Sequence, residues 1–304
     1  MDPMLATPGA LPTGPDWSFE VKWDGMRLLA DVSTANDQVA MKLASRTDRD
    51  MTRHFPELAG LTELAPDVLL DGEVVALSGG VPSFATLADR FHRIPSPAEV
   101  AARPVIFMVF DVLRLYGVPL LERPLSERRA TLERLDFGPV NQVQLSPVYD
   151  DGPALLAATA AQGLEGVVAK RRDSVYRPGQ RAQSWVKVPH RKTQDCLVGA
   201  WRPERTNPSR IGGLLLGVPD PDGSGRLRFA GRVGSGVAGE KTQRALRAAL
   251  RPSDESPFLD DLPREDRLGA RWCEPTLMVE VAHSGWTEGH RLRLPVLSRL
   301  RTDR

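Results

Sequence analysis

The residues that could do chemistry concentrate around one lysine near the start of the chain. Lys22 lies in the stretch Glu20-Val21-Lys22-Trp23-Asp24-Gly25-Met26-Arg27. Unlike arginine, a lysine can release its proton inside a protein and then act as a nucleophile. Six of the 40 basic residues are lysines, and these are Lys22, Lys42, Lys170, Lys187, Lys192 and Lys241. Because the chain uses arginine at almost every other basic position, its few lysines, and Lys22 in particular, are candidates for amine chemistry.

The local pattern around Lys22 predicts two strands joined by a turn. Apolar and polar side chains alternate over residues 17–23, which would place Glu20 and Lys22 on the face opposite the aromatic residues. Asp24-Gly25 then turns the chain, and the alternation resumes over residues 26–32, as in a hairpin. By itself this stretch is also consistent with an ordinary hairpin that carries an exposed Glu/Lys pair, so other parts of the chain must decide.

Length and composition limit the classes of protein to which the chain can belong. Its 304 residues, 41% of them hydrophobic, are enough for one large or two ordinary globular domains. It has no apolar run of about 18 residues, so no membrane span is expected. Residues 1–15 lack the basic and apolar regions of a secretory signal, so a cytoplasmic location is expected. The net charge is only +1, so any binding of nucleic acid must use local patches.

The cysteines and histidines disfavour disulfide and transition-metal chemistry. Cys196 and Cys273 do not form a Cys-x-x-Cys pair, and we expect both to be ordinary packed thiols. The five histidines form no His-Glu-x-x-His pattern, so a zinc-type site is not expected. A hard cation held by carboxylate oxygens remains open.

Hydrophobic periodicity predicts an α+β protein with two domains. Strand-like and helix-like segments over residues 1–193 are mixed without regular alternation, which favours α+β over a doubly wound sheet. Residues 104–115 are almost wholly apolar, as expected for a central strand buried on both faces. Residues 194–304 contain short strands, Pro/Gly/Asp-rich turns and one helix, which is typical of a small OB-type barrel. This second part has 18 basic and 15 acidic residues, against 22 and 24 in the first.

A series of short motifs resembles those of the covalent nucleotidyltransferases, which include DNA ligases, RNA ligases and mRNA capping enzymes. Lys22-Trp23-Asp24-Gly25, followed by Arg27, is similar to the family's nucleophile motif. The segments similar to the later motifs follow in the family's order, and they are Ser45-Arg46, Asp71-Gly72-Glu73, Phe110-Asp111, Glu165-Gly166-Val167-Val168-Ala169-Lys170, Trp185-Val186-Lys187 and Arg301-Thr302-Asp303-Arg304. The likeness is greatest to the ATP-dependent ligase domain of bacterial nonhomologous end-joining ligases.

The resemblance implies a fold for each part of the chain and a role for each motif residue. Residues 1–193 would form an adenylation (nucleotidyltransferase) domain of antiparallel sheets with flanking helices, and residues 194–304 an OB-fold domain. Lys22 would attack the α-phosphorus of ATP after neighbouring cations lower its pKa from about 10.4. Glu20 would lie next to the base, and Phe110 would stack on adenine. Arg27 and Glu73 would hold the ribose and phosphate, Lys170 and Lys187 would contact the α-phosphate, and Arg46 would reach the nucleotide or a DNA 5′-phosphate. Glu165 and Glu73 would bind Mg2+ (or Mn2+), and Asp303, with Arg301 and Arg304, would orient pyrophosphate.

The resemblance also implies a reaction and partners. AMP would pass from Lys22 to the 5′-phosphate of nicked or broken duplex DNA, and the 3′-hydroxyl would then displace AMP. The implied partners are Ku-type end-joining proteins, and the implied protein is a monomer associated with the nucleoid.

Alternatives to a DNA ligase remain open. An RNA ligase, or a capping-type enzyme that uses GTP, would share the same nucleophile motif. A catalytically impaired DNA-end-binding scaffold is suggested by Pro189, because the family usually has a second lysine there and proline carries neither charge nor N–H donor. Taken singly, the motif residues have ordinary explanations, such as a turn carboxylate for Glu73 or core packing for Phe110. The order of all the motifs together favours the ligase interpretation.

Overall fold

The structure is a computed structural model, which describes residues 1–35, 38–138, 140–259, 261–287 and 289–301. Its contacts group the chain into two compact units, Met1–His190 and Arg191–Arg304. The domain boundary expected after residue 193 stays a prediction.

The first unit contains strands from its start to its end, with helices between them. Its strands are β1 (Leu5–Pro8), β2 (Trp17–Val21), β3 (Met26–Ala35), β4 (Gln38–Ser45), β5 (Val68–Ser78), β6 (Val81–Pro82), β7 (Val105–Leu115), β8 (Val118–Pro119), β9 (Val143–Leu145), β10 (Val148–Tyr149), β11 (Gly166–Arg171) and β12 (Arg181–Pro189). Its helices are α1 (Phe84–His92), α2 (Pro97–Ala102), α3 (Leu125–Leu132) and α4 (Gly152–Ala161), with 3₁₀ helices at Thr52–His54 and Pro56–Glu63.

These strands form two sheets. One sheet has the order β1-β12-β11-β2-β10, in which β1 runs parallel to β12 and the other pairs are antiparallel. The other sheet has the order β4-β3-β5-β7-β8, with β6 added beside β5 and β9 added in parallel beside β7. The central strand expected over residues 104–115 is confirmed as β7, which is buried over most of its length.

The hairpin predicted at Asp24-Gly25 is wrong. β2 pairs with β10 and β11, whereas β3 pairs with β4 and β5, so the turn carries the chain from one sheet to the other. Alternation correctly marked both strands, but the partner of a strand depends on segments far away in the sequence. Both faces of β2 are covered, so Glu20 is buried and is not part of an exposed charged face.

Apolar side chains from both sheets pack together and form one core cluster, which contains Met4, Leu29, Ala44, Leu69, Phe110, Leu113, Tyr176 and Trp185. Phe110 joins this cluster from β7, at the extra residue of a β-bulge. Asp71 pairs with Asp111 and Gly72 pairs with Val109, which leaves Phe110 without a paired position on β5. Phe107 and Val109 face a different cluster from Phe110, as strand alternation requires, and the extra residue returns Val112 to the cluster of Val109.

The second unit is a curled sheet whose first and last strands approach each other. Its elements are β13 (Lys192–Pro203), β14 (Ile211–Pro219), β15 (Leu227–Val233), α5 (Glu240–Ala249), α6 (Arg264–Arg267), β16 (Arg271–Trp272), β17 (Met278–His283) and β18 (Val296–Arg301). The strand order is β15-β14-β13-β17-β18. A parallel bridge joins Ser235 to Val296, and the Leu297 N–H donates to the Ser235 carbonyl at 3.0 Å. This contact brings β18 back toward the end of β15, as in the expected OB-type barrel.

The α+β class is confirmed, since strands and a few short helices make up both units. β18 was not expected as a strand from the sequence pattern. Among the helices that the structure describes, none is long and apolar enough to cross a membrane.

Candidate active site

A pocket of about 480 Å³ lies in the first unit, and residues of both of its sheets line it. Eight of the predicted site residues are on its wall, and these are Glu20, Lys22, Arg27, Arg46, Glu73, Phe110, Lys170 and Lys187. They come from β2, β3, β5, β7, β11, β12 and the loop after β4. Residues that are up to 167 positions apart in the sequence, Glu20 and Lys187, therefore share one cavity.

Lys22 follows β2 directly, and its backbone continues the pairing of that strand. The Lys22 N–H donates to the Gly166 carbonyl at 2.9 Å, and Trp23 Nε1 donates to Ser146 Oγ at 3.0 Å. Lys22 Nζ lies 2.5 Å from Glu165 Oε2, and its side chain keeps 22% of its exposure. The amine is thus held by a rigid backbone, oriented by a carboxylate and still accessible from the pocket.

The Asp24-Gly25 pair fixes the chain just after Lys22. Asp24 Oδ2 accepts a hydrogen bond from the Phe84 N–H at 3.2 Å, at the start of α1. At Gly25, a Cβ atom would lie 2.1 Å from the Val74 carbonyl oxygen of β5. Only glycine allows this close approach of the two backbones, so the motif's glycine has a packing reason.

Glu165 lies just before β11, so the alternation of side chains between the two faces of that strand does not apply to it. Its carboxylate reaches Lys22. Gly166 has a φ of +143°, and a Cβ there would lie 2.3 Å from the Val188 carbonyl oxygen. Further along β11, Val168 and Lys170 share the face that lines the pocket. Val168 pairs with Glu20 on one side and with Lys187 on the other, which aligns the three strands across the cavity.

Glu20 and Lys170 form a buried pair at one end of the pocket. Lys170 Nζ lies 2.7 Å from Glu20 Oε1, and both side chains are almost fully buried. Attraction between the charges and a hydrogen bond between the two side chains both hold the pair. Burial raises the pKa of Glu20 and lowers the pKa of Lys170, and each partner's charge opposes the effect of burial on the other. Burial and the partner's charge therefore act in opposite directions on both members of the pair.

Two aromatic rings enclose the amine of Lys170. Nζ lies 4.2 Å from the centroid of Phe110 and 4.5 Å from the centroid of Trp185. The two rings meet edge to face with centroids 6.3 Å apart. Cation–π contacts of this kind stabilise a charged amine in a buried position.

Arg27 is fixed by a network that sequence reasoning did not assign. Its Nε and Nη2 donate to the two oxygens of the fully buried Asp71 at 2.5 and 2.6 Å. Tyr176 Oη donates to Asp71 Oδ2 at 2.6 Å and accepts from the Met4 N–H at 3.0 Å. The guanidinium carbon also lies 4.6 Å above Phe110. Burial disfavours the charge of Arg27, but Asp71 outweighs it and holds the pKa of Arg27 above its ordinary value.

Glu73 and Lys187 titrate outside their usual ranges. Glu73 pairs with Arg27 across β5 and β3, and burial raises its pKa to about 8 against the opposing charges of Arg27 and Lys22. Burial lowers the pKa of Lys187, and the positive charges of Lys22 and Arg181 add to the effect. Lys187 thus lies near enough to Lys22 for their like charges to interact.

Glu73 and Glu165 were predicted to bind a divalent metal. Within the described ranges, no group of three or more His, Cys, Asp or Glu side chains could hold a metal ion. Mg2+ usually takes one or two protein carboxylates and completes its shell with water and phosphate oxygens. Glu73 and Glu165 interact electrostatically with each other and with Lys22, so their oxygens fit a cation that is bound together with a nucleotide. The metal assignment stays a prediction.

The last motif lies in the second unit. Arg301 ends β18, and its guanidinium contacts Asp195 at 3.3 Å and Glu280 at 3.1 Å. Asp303 and Arg304 lie outside the described residues. Their predicted role with pyrophosphate stays a prediction.

Sequence reasoning missed several residues of the pocket. Asp71 and Trp185 stand within quoted motifs, so their positions were a signal, but neither was assigned a role. Arg181 lines the pocket and donates to the Ala6 carbonyl at 2.5 Å, and nothing in its local pattern marks it. Tyr176 could be found only from the three-dimensional contact with Asp71.

Family comparisons agree with the motifs. The family described as "ATP dependent DNA ligase domain" matches residues 3–188, and the "ATP dependent DNA ligase C terminal region" matches residues 207–304. The chain is 42% identical over 99% of its length to the multifunctional non-homologous end joining DNA repair protein LigD of Mycobacterium tuberculosis, of which it spans 38%. It is 34% identical to DNA ligase C2 of Mycolicibacterium smegmatis, over 95% of the chain and 87% of that protein.

A solved structure gives the same result. The ligase domain from M. tuberculosis LigD matches the whole chain and 95% of that domain, with 38% identity and a TM-score of 0.57. This likeness supports the fold that was expected, a nucleotidyltransferase domain of sheets and short helices followed by an OB-fold domain. With two family models covering most of the chain, and Lys22 in a nucleotide-sized pocket, the protein belongs to the ATP-dependent DNA ligase family.

Proposed function

We propose that the protein seals nicks or breaks in duplex DNA through a lysyl-AMP intermediate on Lys22. The observation that carries this proposal is the position of Lys22, whose amine is exposed in a pocket next to Glu165 and near Lys187. The whole-length LigD relatives are described as non-homologous end joining proteins, and DNA ligase C2 supports the ligase activity over most of its own length. The use of ATP follows from the family.

The pocket has two chemically different ends, and each suits one end of ATP. Glu20 and Lys170 lie together beside Phe110 and Trp185, which suits a flat base with polar edges. The sequence motif suggested that Lys170 contacts the α-phosphate, but its contacts favour the base. Lys187 remains the lysine that contacts the α-phosphate, because it is the one whose charge interacts with Lys22.

The remaining side chains suit the ribose and phosphates. Arg27 is held rigidly by Asp71, and Glu73 pairs beside it, so these two bind the ribose and phosphate end. Arg46, exposed on the pocket wall, reaches either the nucleotide or the DNA 5′-phosphate. Glu73 and Glu165 hold Mg2+ (or Mn2+), which when bound neutralises phosphate charge and favours the neutral amine of Lys22.

In the first step, neutral Lys22 Nζ attacks the α-phosphorus, and a P–N bond forms as pyrophosphate leaves. Lys187 stabilises the negative charge that develops on the phosphate oxygens. In the second step, an oxygen of the DNA 5′-phosphate attacks the same phosphorus, and the P–N bond breaks. In the third step, the DNA 3′-hydroxyl attacks the 5′-phosphorus, and AMP leaves. Asp303, Arg301 and Arg304 orient pyrophosphate in the first step.

The wider setting of this activity is part of the proposal. The protein acts as a monomer on nicked or broken duplex DNA, in the cytoplasm at the nucleoid, with Ku-type end-joining proteins as partners. The LigD relatives are non-homologous end joining DNA repair proteins, which supports an end-joining role.

Labelling with ATP that carries ³²P at the α-phosphate tests the proposal. The protein should acquire an AMP adduct that is stable in alkali and labile in acid, as a P–N bond requires, and Lys22→Ala should acquire none. Lys42→Ala is the matched control, because Lys42 is an exposed lysine paired with Asp48 at 3.5 Å, and it should label normally. Labelling of Lys22→Ala at the rate of the unchanged protein would show that Lys22 is not the nucleophile.

The same preparation separates the rival functions. Sealing of nicked DNA but not nicked RNA supports a DNA ligase, and a preference for GTP supports a capping-type enzyme. Pro189 ends β12 and pairs with Gly166, in the position where the family usually has a lysine. DNA binding without any AMP adduct would support the DNA-end-binding scaffold instead.

A further inference from the structure

A second, smaller cavity also reaches Glu20. It has a volume of about 210 Å³, and its polar lining includes Ser18, Glu20, Ser126, Arg129, Glu133 and Arg172. Glu20 is therefore shared by two cavities, one that also contains Lys170 and one that also contains Arg129. A polar cavity of this size has room for several water molecules that hydrogen-bond its lining.

Arg129 has an unused donor in this region. It lies on α3, and its Nε donates to Glu133 Oε1 at 2.7 Å, while its side chain is only 12% exposed. Its Nη1 is buried and has no hydrogen-bond partner in the part of the chain that the structure describes. A buried guanidinium N–H without a partner is unfavourable, so a water in the cavity is its natural acceptor.

The proton that Glu20 and Lys170 share decides which base they can recognise. Adenine presents a donor at N6 and an acceptor at N1, whereas guanine presents an acceptor at O6 and a donor at N1. A carboxylate accepts from N6–H while the ammonium beside it donates to N1, and in the same orientation guanine would oppose acceptor to acceptor and donor to donor. A carboxylic acid beside a neutral amine can donate and accept on both sides, so it discriminates less.

We propose that Arg129 is a positioning residue that acts through Glu20, keeping Glu20 ionised from the second cavity and so favouring ATP over GTP. The inference rests on the proposed function, in which Glu20 and Lys170 contact the base. Arg129 does not touch the nucleotide in this arrangement. Its charge and its free Nη1 donor stabilise the carboxylate on the side that the base does not occupy.

The charges that surround Glu20 agree with this role. Burial and the charge of Asp111 raise the pKa of Glu20, whereas Lys170 and Arg129 lower it. Arg27 and burial oppose the charge of Lys170, whereas Glu20 and Asp111 favour it. Arg129 thus favours the ionised form of Glu20 from outside the nucleotide pocket.

Nucleotide discrimination by variants of Arg129 tests the inference. The rate of AMP adduct formation divided by the rate of GMP adduct formation should fall about tenfold in Arg129→Met. A tenfold change corresponds to a shift of about one pKa unit in the preference of the proton for Lys170 over Glu20. Arg129→Gln keeps a donor without the charge and should lose discrimination as well. Arg129→Lys restores the charge and should keep the ratio within about threefold of the unchanged protein.

Arg134→Met is the matched control, because Arg134 is an exposed arginine close by that contacts Thr131 at 3.3 Å. It should leave the ratio unchanged. If Arg129→Met and Arg129→Gln lower both rates equally and keep the ratio, Arg129 has only a structural role and the inference is wrong. Calorimetric dissociation constants for ATP and GTP give the same ratio even where no adduct forms. If no adduct forms but the dissociation constants still show discrimination that depends on Arg129, the result would count against the proposed function and not against this inference.

Discussion

Replacing Asp71 by Asn should destabilise the protein more than any comparable change at a surface carboxylate. Asp71 is fully buried, and it accepts two hydrogen bonds from Arg27 and one from Tyr176, at 2.5 to 2.6 Å. The amide removes the negative charge and replaces one acceptor oxygen with a donor, so one of these donors loses its partner. Arg27 then remains in a largely buried position without a counter-charge.

The expected loss follows from the exposure of the two partners. Removing one member of a fully buried ion pair costs about 3 to 5 kcal/mol in the free energy of unfolding. Arg27 keeps 19% of its exposure, so water can partly solvate it, and we expect the lower end, about 3 kcal/mol. Because Arg27 is also a proposed nucleotide ligand, ATP binding should weaken about tenfold, or about 1.4 kcal/mol.

Urea unfolding followed by tryptophan fluorescence measures the first effect, and calorimetric titration with ATP measures the second. The control is Asp31→Asn, because Asp31 contacts Arg114 at the same 2.5 Å but keeps 42% of its exposure. Surface pairs contribute about 0 to 1 kcal/mol, so this control should lose less than about 1 kcal/mol and bind ATP normally. Equal losses in the two variants would refute the argument that burial makes the Arg27 pair important.

Three other changes follow from the same geometry. Glu73→Gln should flatten the pH dependence of stability between about 4.5 and 8. The folded state takes up a proton more readily at Glu73, so the unchanged protein loses up to about 1.4 kcal/mol per pH unit as pH rises through this window, and urea midpoints at each pH measure it. Gly25→Ala should cost about 2 kcal/mol or more, because its Cβ would meet the Val74 carbonyl, whereas Gly239→Ala, whose Cβ would make only an ordinary 3.6 Å contact with Thr242 Oγ1, should change the urea midpoint little. Glu165→Gln should slow AMP labelling of Lys22 at saturating ATP by at least about tenfold, because the amine loses its orienting carboxylate. Equal labelling rates in single-turnover assays would contradict this last expectation.

Local sequence patterns predicted the strands and the chemistry of the site better than they predicted the connections. The alternation around Lys22 correctly marked β2 and β3, and the apolar run at residues 104–115 correctly marked β7. The period of a strand determines which face each side chain occupies, but it holds no information about the partner strand. The pairing of β2 with β11, more than 140 residues away, therefore could not be predicted, and an incorrect hairpin took its place.

The arrangement inside the pocket was also beyond local patterns. The bulge at Phe110 is visible only in the register of β5 with β7, and it returns Val112 to the face of Val109, against simple alternation. Arg129 lies on a helix rich in charged residues, so the local sequence gives no sign that it differs from an ordinary solvent-exposed arginine. Its buried Nη1 becomes apparent only when α3 is placed against β2 and the cavity between them is defined.

The choice between lysine and arginine explains how one pocket can hold several cations close together. Three of the six lysines of the chain, Lys22, Lys170 and Lys187, line it, and burial lowers the pKa values of Lys170 and Lys187. Arginine in these positions would remain charged, and the repulsion could not be relieved by loss of a proton. Arg27 can be an arginine because Asp71 neutralises it. At Arg27 the charge is permanently paired with Asp71, whereas Lys22 must lose a proton, as nucleophilic attack by an amine requires.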